Sequence, residues 1–306
     1  MSHYAPIVLF VYARPEHTRR TLEALAANPE AKDSLLYVFA DGPPDGAAPG
    51  LRSRIEEVRR IVRERPWCGE VRIIESNVNR GLADSIVSGV TEVVERHGKI
   101  IVLEDDIVTS PAFLQFMNDA LRVYENVEDV AGVSGFHVNH GKTFNGTYFL
   151  KKTTSWGWAT FRRAWGQLSF DARDLYNQLL EKNVTDFNFK HGDYLSMLED
   201  RCEGKNSSWA ICFYASVFLQ DRLFLYPGTS LCANIGFGDE ATHTKGNIGK
   251  SFEWDFTALP SAIHVRFEFP KEDRLMRTIW EKSLKQHDGR SWKVLVNRFL
   301  RKLQYK

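Results

Sequence analysis

The chain predicts an α/β protein built on a mostly parallel sheet flanked by helices. Short apolar runs alternate with amphipathic helical periods up to Tyr124, and no linker or repeat interrupts the sequence. Strands separated by helices pair in parallel through right-handed crossovers. Ligands of such sheets sit at the carboxyl ends of the strands.

The elements follow in order. Pro6–Ala13 reads as a buried strand, Glu16–Ala27 as a helix and Leu35–Ala40 as a second strand. Gly42–Gly50 is a loop rich in Gly, Pro and Ala. Leu51–Arg65 has helical period, with Ile55, Val58, Ile61 and Val62 on one face. Val71–Glu75 is a third strand, Leu82–Arg96 a helix and Lys99–Leu103 a fourth strand. Ser110 and Pro111 supply an N-cap and an N1 proline for a helix over Ala112–Tyr124. The second half is less regular and rich in aromatics. Val130–Phe136, Tyr148–Lys152 and Leu223–Tyr226 read as strands, and Leu175–Lys182, Tyr194–Cys202 and Ala210–Leu219 as helices. A Gly-rich loop spans Ala233–Gly249. One continuous fold is expected: a nucleotide half over 1–130, an acceptor half over 131–270 and a basic tail over 271–306.

Composition narrows the function. The 306 residues carry a formal net charge of +1, which argues against a general nucleic-acid binder. The four cysteines show no C-x-x-C spacing, so a structural zinc site is not expected, and reduced thiols in a cytoplasmic protein are the simpler reading. No leader pattern and no long apolar run is evident. The phosphate-loop, dinucleotide, nucleophile-elbow and H-E-x-x-H motifs are all absent.

The most informative stretch is Ile100 to Asp106, in which Glu104, Asp105 and Asp106 follow a buried strand. Adjacent like charges raise one another's pKa unless a cation or strong donors hold them. Hard oxygen ligands at a strand end suit Mg²⁺ or Mn²⁺, which can bridge a diphosphate. The ordinary alternative is a solvated strand end.

In this context the Glu-Asp-Asp resembles the metal motif of GT-A glycosyltransferases, and most closely that of the N-acetylglucosaminyltransferase I family and its bacterial relatives. Val11-Tyr12-Ala13-Arg14-Pro15 resembles the nucleotide-contacting first-strand signature. Asp41-Gly42 stands where a base-recognition acid is often found, and Asn77–Ala83 resembles the loop over base and ribose. Ser155-Trp156-Gly157-Trp158, Ser208-Trp209-Ala210-Ile211 and Asn234–Phe237 through Thr242-His243 are similar to later motifs of the same enzymes.

The resemblance implies a metal-dependent, inverting transferase acting on a nucleoside-diphosphate sugar, with UDP favoured. The acceptor would be a glycan or a lipid-linked sugar, in surface-polysaccharide or glycoconjugate synthesis. Asp106 would ligate Mn²⁺ or Mg²⁺, with His243 as a second metal or phosphate contact. Asp105 would face the ribose, and Glu104 would orient the site. Tyr12, Arg14, Asp41, Asn79 and Arg80 would hold the nucleotide, and Trp156, Trp158, Ser207 and Trp209 would line the acceptor side. Core packing is the plainer role for at least one of Trp156 and Trp158, and an ordinary loop histidine is the alternative for His243.

One departure stands out. Where the related family carries its catalytic base, this chain has Asn206-Ser207-Ser208-Trp209, and Ser207 cannot deprotonate an acceptor unaided. Asp200, Asp239 and Glu240, with Glu199, are the nearest acids. A catalytically inactive transferase-like domain that binds carbohydrate or a partner, and a sugar nucleotidyltransferase, therefore stay open. The second lacks its expected Gly-rich basic loop after the first strand.

The final stretch, Arg277–Lys306, holds nine Lys/Arg against Glu281 and Asp288. Within it Trp292, Val296, Phe299, Leu300 and Leu303 share one helical face. Such a helix lies on an anionic membrane surface or packs on the domain with a solvated basic face.

Overall fold

A computed structural model describes residues 4–138, 143–182, 184–236 and 263–287. The first four strands are β1 (Ile7–Val11), β2 (Leu35–Ala40), β3 (Glu70–Glu75) and β4 (Lys99–Glu104). They lie in the order β3-β2-β1-β4, all parallel, with Leu9 paired to Val38 on one side and to Leu103 on the other. The connecting helices are α1 (Pro15–Ala26), α2 (Pro49–Val62) and α3 (Leu82–His97). Strands β1 and β4 read as continuous apolar runs because they are covered on both faces, whereas edge strand β3 is partly exposed. On α2 the four residues with helical spacing, Ile55, Val58, Ile61 and Val62, are the buried ones.

Two departures from the expected order bear on the site. After Glu104 the chain turns back at once into a short strand, β5 (Ile107–Thr109), and helix α4 (Phe113–Val123) begins later than Ser110-Pro111 suggests. The Ser110 hydroxyl caps nothing; its carbonyl accepts the Phe113 N–H at 3.1 Å in a preceding turn. Ser110 is consumed instead by the strand pairing, its N–H donating to the Leu231 carbonyl at 2.8 Å.

The second half completes the same sheet. Strands β6 (Val130–Ser134), β7 (Thr147–Leu150), β8 (Trp158–Phe161) and β9 (Leu223–Pro227) extend it to eight, in the order β3-β2-β1-β4-β8-β6-β9-β7. Strand β8 inserts antiparallel between β4 and β6, and β7 is antiparallel to β9, so the sheet is mixed but mostly parallel. Trp158 pairs with Val102, two residues before Glu104, so Trp156 and Gly157 emerge at the carboxyl end of β4. Helices α5 (Arg162–Trp165), α6 (Ala172–Leu180), α7 (Val184–Phe187), α8 (Tyr194–Cys202) and α9 (Trp209–Leu219) follow β8. Strand β10 (Cys232–Asn234) pairs antiparallel with β5, Asn234 opposite Ile107. Helix α10 (Arg274–His287) falls within the stretch assigned to the tail, yet it buries Met276, Trp280 and Leu284 against the fold. The basic amphipathic segment Trp292–Leu303 lies outside the described residues.

Candidate functional site

The carboxyl ends of β1 to β4 bring two clusters side by side. The first is built on Arg14 and the acid triplet. Arg14 ends the loop after β1 and occupies the N-cap position of α1, where Pro15 sets the first turn. Its backbone is fixed, because the Arg14 carbonyl accepts both the N–H of Thr18 at 3.0 Å and its hydroxyl at 2.8 Å. Its guanidinium reaches across to β4, Nη1 donating to Asp106 Oδ2 at 2.8 Å and Nη2 donating to Asp105 Oδ1. The two aspartate side chains are 5% and 6% exposed, against 40% for Arg14, so buried anions meet a cation that still faces solvent.

The electrostatics follow from that burial. Desolvation, and next the Asp106 charge, push the Glu104 carboxyl up to about 8, with Arg14 opposing. Burial also raises Asp105, and Arg14 pulls it back. Burial works against the charge on Arg14, but the two aspartates more than offset it and hold the guanidinium above its usual range.

Strand β10 closes the cluster from the other side. The Ile235 N–H donates to the Asp106 carbonyl at 2.9 Å, and the Gly236 N–H donates to Asn234 Oδ1 at 2.8 Å. A Cβ on Gly236 would collide with Asp106 Oδ2 and come within 3.1 Å of Asn234 Oδ1 and 3.2 Å of Arg14 Nη1. Glycine therefore lets the backbone pass this close to the Asp106 carboxylate and the Arg14 guanidinium. Among the described residues no three acidic, histidine or cysteine side chains converge as a ligand set. Two carboxylates that already share one cation are a donor set that suits a hard divalent ion taking its remaining ligands from phosphates and water.

The second cluster gathers Tyr12, Asp41, Asn79 and Arg80. Asp41 accepts the N–H of Gly42 at 2.9 Å, of Arg80 at 2.9 Å and of Gly81 at 3.0 Å, so its carboxylate is held by backbone donors just ahead of α3. Asn79 donates to the Gly42 carbonyl at 3.1 Å, and its side chain also meets the Tyr12 hydroxyl. Gly42 is required here: a Cβ would stand 2.6 Å from the Val78 N and 2.7 Å from the Ser76 carbonyl oxygen. Burial, then Asp41, raises the Tyr12 hydroxyl. Tyr12 and Arg14 leave the same strand, so β1 contributes to both clusters.

The other expected residues distribute unevenly. Trp156 is partly exposed at the end of β4, edge-on to Phe136 at 4.7 Å. Trp158 and Trp209 do not line an open surface. Trp158 is fully buried and packs on Trp165, Trp209 and Phe213, while Trp209 is 4% exposed. Their faces are covered by other rings, which corrects the expectation that they line the acceptor side. Ser207 lies in the tight turn between α8 and α9, where Ser208 caps the Ile211 N–H and Asn206 accepts the Ser208 N–H. Asp200 is on α8, 3.7 Å from Lys205 Nζ, and among the described residues no hydrogen bond or ion pair links it to the acid cluster. Asp239, Glu240 and His243 lie outside the described residues, on the chain that continues from Gly236.

Two contributors, Thr18 and Thr21, were not singled out from sequence. Thr21 is buried and its hydroxyl donates to the Asp105 carbonyl at 2.9 Å. Thr18 and Thr21 follow Arg14 by four and seven residues, the spacing of one helix face, and that spacing was a usable signal. Asn234 stood in a motif that the resemblance marked, and the pairing of β10 with β5 brings it beside Asp106.

No protein-family model matches the chain, and no curated protein matches it in sequence. Among solved structures it is similar to UDP-glucose pyrophosphorylase complexed with UDP-glucose, at 12% identity over 75% of this chain and 92% of that one, TM-score 0.36. It is similar to mouse xyloside xylosyltransferase 1 at 11% identity over 72% and 83%, TM-score 0.38. It is also similar to the galactosyltransferase LgtC in complex with donor and acceptor sugar analogs, at 10% identity over 94% and 96%, TM-score 0.37.

Proposed function

We propose that this protein is a glycosyltransferase that moves a sugar from a nucleoside-diphosphate donor, UDP-linked by preference, to a glycan or lipid-linked acceptor. The observation that carries the proposal is the convergence of Arg14, Asp105 and Asp106 at the end of β4, beside the Tyr12, Asp41, Asn79 and Arg80 cluster. A cationic and acidic pair suits a diphosphate with its counter-ion, and the neighbouring cluster suits the nucleoside, on the strand ends where parallel sheets bind ligands.

Asp106 and, in place of the ribose-facing role expected of it, Asp105 are the residues that would hold Mn²⁺ or Mg²⁺, since Arg14 bridges the two. When bound, such an ion supplies Lewis-acid stabilisation of the departing diphosphate. The chain's own contributions are separable. Arg14 offers several donors to phosphate oxygens. Asp41 shapes the loop at Arg80 and Gly81 through backbone bonds, so Tyr12 and the Arg80 side chain are its neighbours free to meet the nucleoside. Trp156 borders the acceptor side. Asp239 or Glu240 is proposed as the acceptor's base and His243 as a late contact to the diphosphate, since the chain enters that segment directly from Gly236 at the acid cluster. No described helix is long and apolar enough to cross a membrane.

The test is nucleoside-diphosphate release from a panel of nucleotide sugars, with Mn²⁺ and with EDTA. Release from one donor class that needs the ion supports the proposal. Pyrophosphate release from a nucleoside triphosphate and a sugar phosphate would move the assignment to a nucleotidyltransferase. Binding without release of either product would indicate an inactive carbohydrate- or partner-binding domain.

A further inference from the structure

We infer that Arg14 is a gate on the acid pair, standing in the place of the divalent cation until an anionic diphosphate draws it away. The inference rests on the proposed nucleotide-sugar site and adds an order of events and a residue that enforces it.

Each carboxylate of the buried pair gives one oxygen to one guanidinium nitrogen, so a single cation already bridges both. A divalent ion arriving alone must expel that guanidinium into water and forfeit two charge-assisted hydrogen bonds. A diphosphate changes the balance. Its oxygens give the guanidinium planar, bidentate acceptors, while the incoming ion can be shared between the aspartates and the same phosphates.

The geometry permits the exchange. The Arg14 backbone is pinned by Thr18, so the exchange needs only the side chain to turn. That side chain is 40% exposed, so it has solvent to turn into. Ion and nucleotide binding must then be positively coupled, and by linkage equally so in both directions.

Mn²⁺ affinity, read from the free-ion EPR signal with and without UDP, tests this apart from catalysis. Wild type should bind Mn²⁺ weakly alone and about tenfold or more tightly with UDP, the usual size of a site–site coupling. Arg14→Gln should tighten Mn²⁺ binding in the absence of UDP and shrink the coupling. Arg14→Lys, whose single ammonium cannot span both carboxylates, should shift the same way by a smaller factor and serves if Arg14→Gln does not fold. If both variants bind Mn²⁺ alone no better than wild type, while wild type still binds Mn²⁺ with UDP, the gate is wrong and the site assignment survives. If wild type and variants bind no Mn²⁺ even with UDP, the site assignment fails and the gate falls with it.

Discussion

The Asp41 carboxylate accepts the backbone N–H of Arg80 at 2.9 Å, which ties the end of β2 to the loop ahead of α3. Further bonds from Gly42 and Gly81 complete a carboxylate held by the chain's own backbone. Asp41→Ala leaves those donors without their acceptor, a loss of roughly 1–3 kcal/mol. A lower melting temperature together with a higher donor KM is expected. Arg80→Ala keeps its backbone N–H and should raise KM with no change in melting temperature. Equal stability of the two variants would contradict the loop-tying role of Asp41.

Trp158 and Trp156 should separate cleanly. Trp158 is enclosed by three aromatic neighbours, and its indole N–H has no hydrogen-bond partner among the described residues. Trp158→Ala should cost about 3–5 kcal/mol by denaturant unfolding, as large core truncations do. Trp158→Phe keeps most of the ring contact and loses no hydrogen bond, so it should cost far less. Trp156→Ala should leave the fold largely intact and impair transfer to acceptor more than donor hydrolysis. A Trp156→Ala protein as unstable as Trp158→Ala would make both residues purely structural.

Lys152 should leave a signature in the pH dependence of stability. It is 6% exposed, and its ammonium lies 3.7 Å from the centre of the Tyr194 ring and 4.6 Å from that of Tyr214, with Phe189 and Trp280 also close. Burial pushes its pKa down from 10.5 to about 7. Above pH 7 the folded chain has given up a proton that the unfolded chain keeps until about 10.5, so the unfolded state binds more protons and stability rises with pH across that window. Below about pH 7 the lysine is charged in both states, and its cost is largest. The ring faces return part of that cost as cation–π attraction, leaving an effect on the order of 1–3 kcal/mol. Lys152→Met should therefore melt higher than wild type at pH 6.5, with the gap narrowing by pH 9. A constant gap would contradict a titrating Lys152.

Legibility in the sequence followed the range of the forces involved. The alternation through β4 was readable because local period and burial on both faces agree, and the bounds of α8 match the expected Tyr194–Cys202. The strand-end positions of the proposed site were readable for the same reason, since topology alone picks out Tyr12, Asp41, the Asn79 loop and Asp106. Strand β8 escaped notice because Trp-Ala-Thr-Phe is too short to show a period, and only its neighbours β4 and β6 make it a strand. The engagement of Asp41 by backbone donors, and the grip of Arg14 on both aspartates, depend on contacts across 39 to 92 residues of sequence that no local pattern encodes.

Asp106 is the residue proposed to join a metal ion to a nucleotide sugar. The direct measurement is nucleoside-diphosphate release from the preferred donor by wild type and Asp106→Ala, each with Mn²⁺ and with EDTA, alongside a circular-dichroism melt of both proteins. The expected result is release by wild type only with the ion, none by Asp106→Ala in either condition, and melts showing that both proteins fold. Undiminished release in EDTA, or an Asp106→Ala protein that matches wild type, would contradict the account.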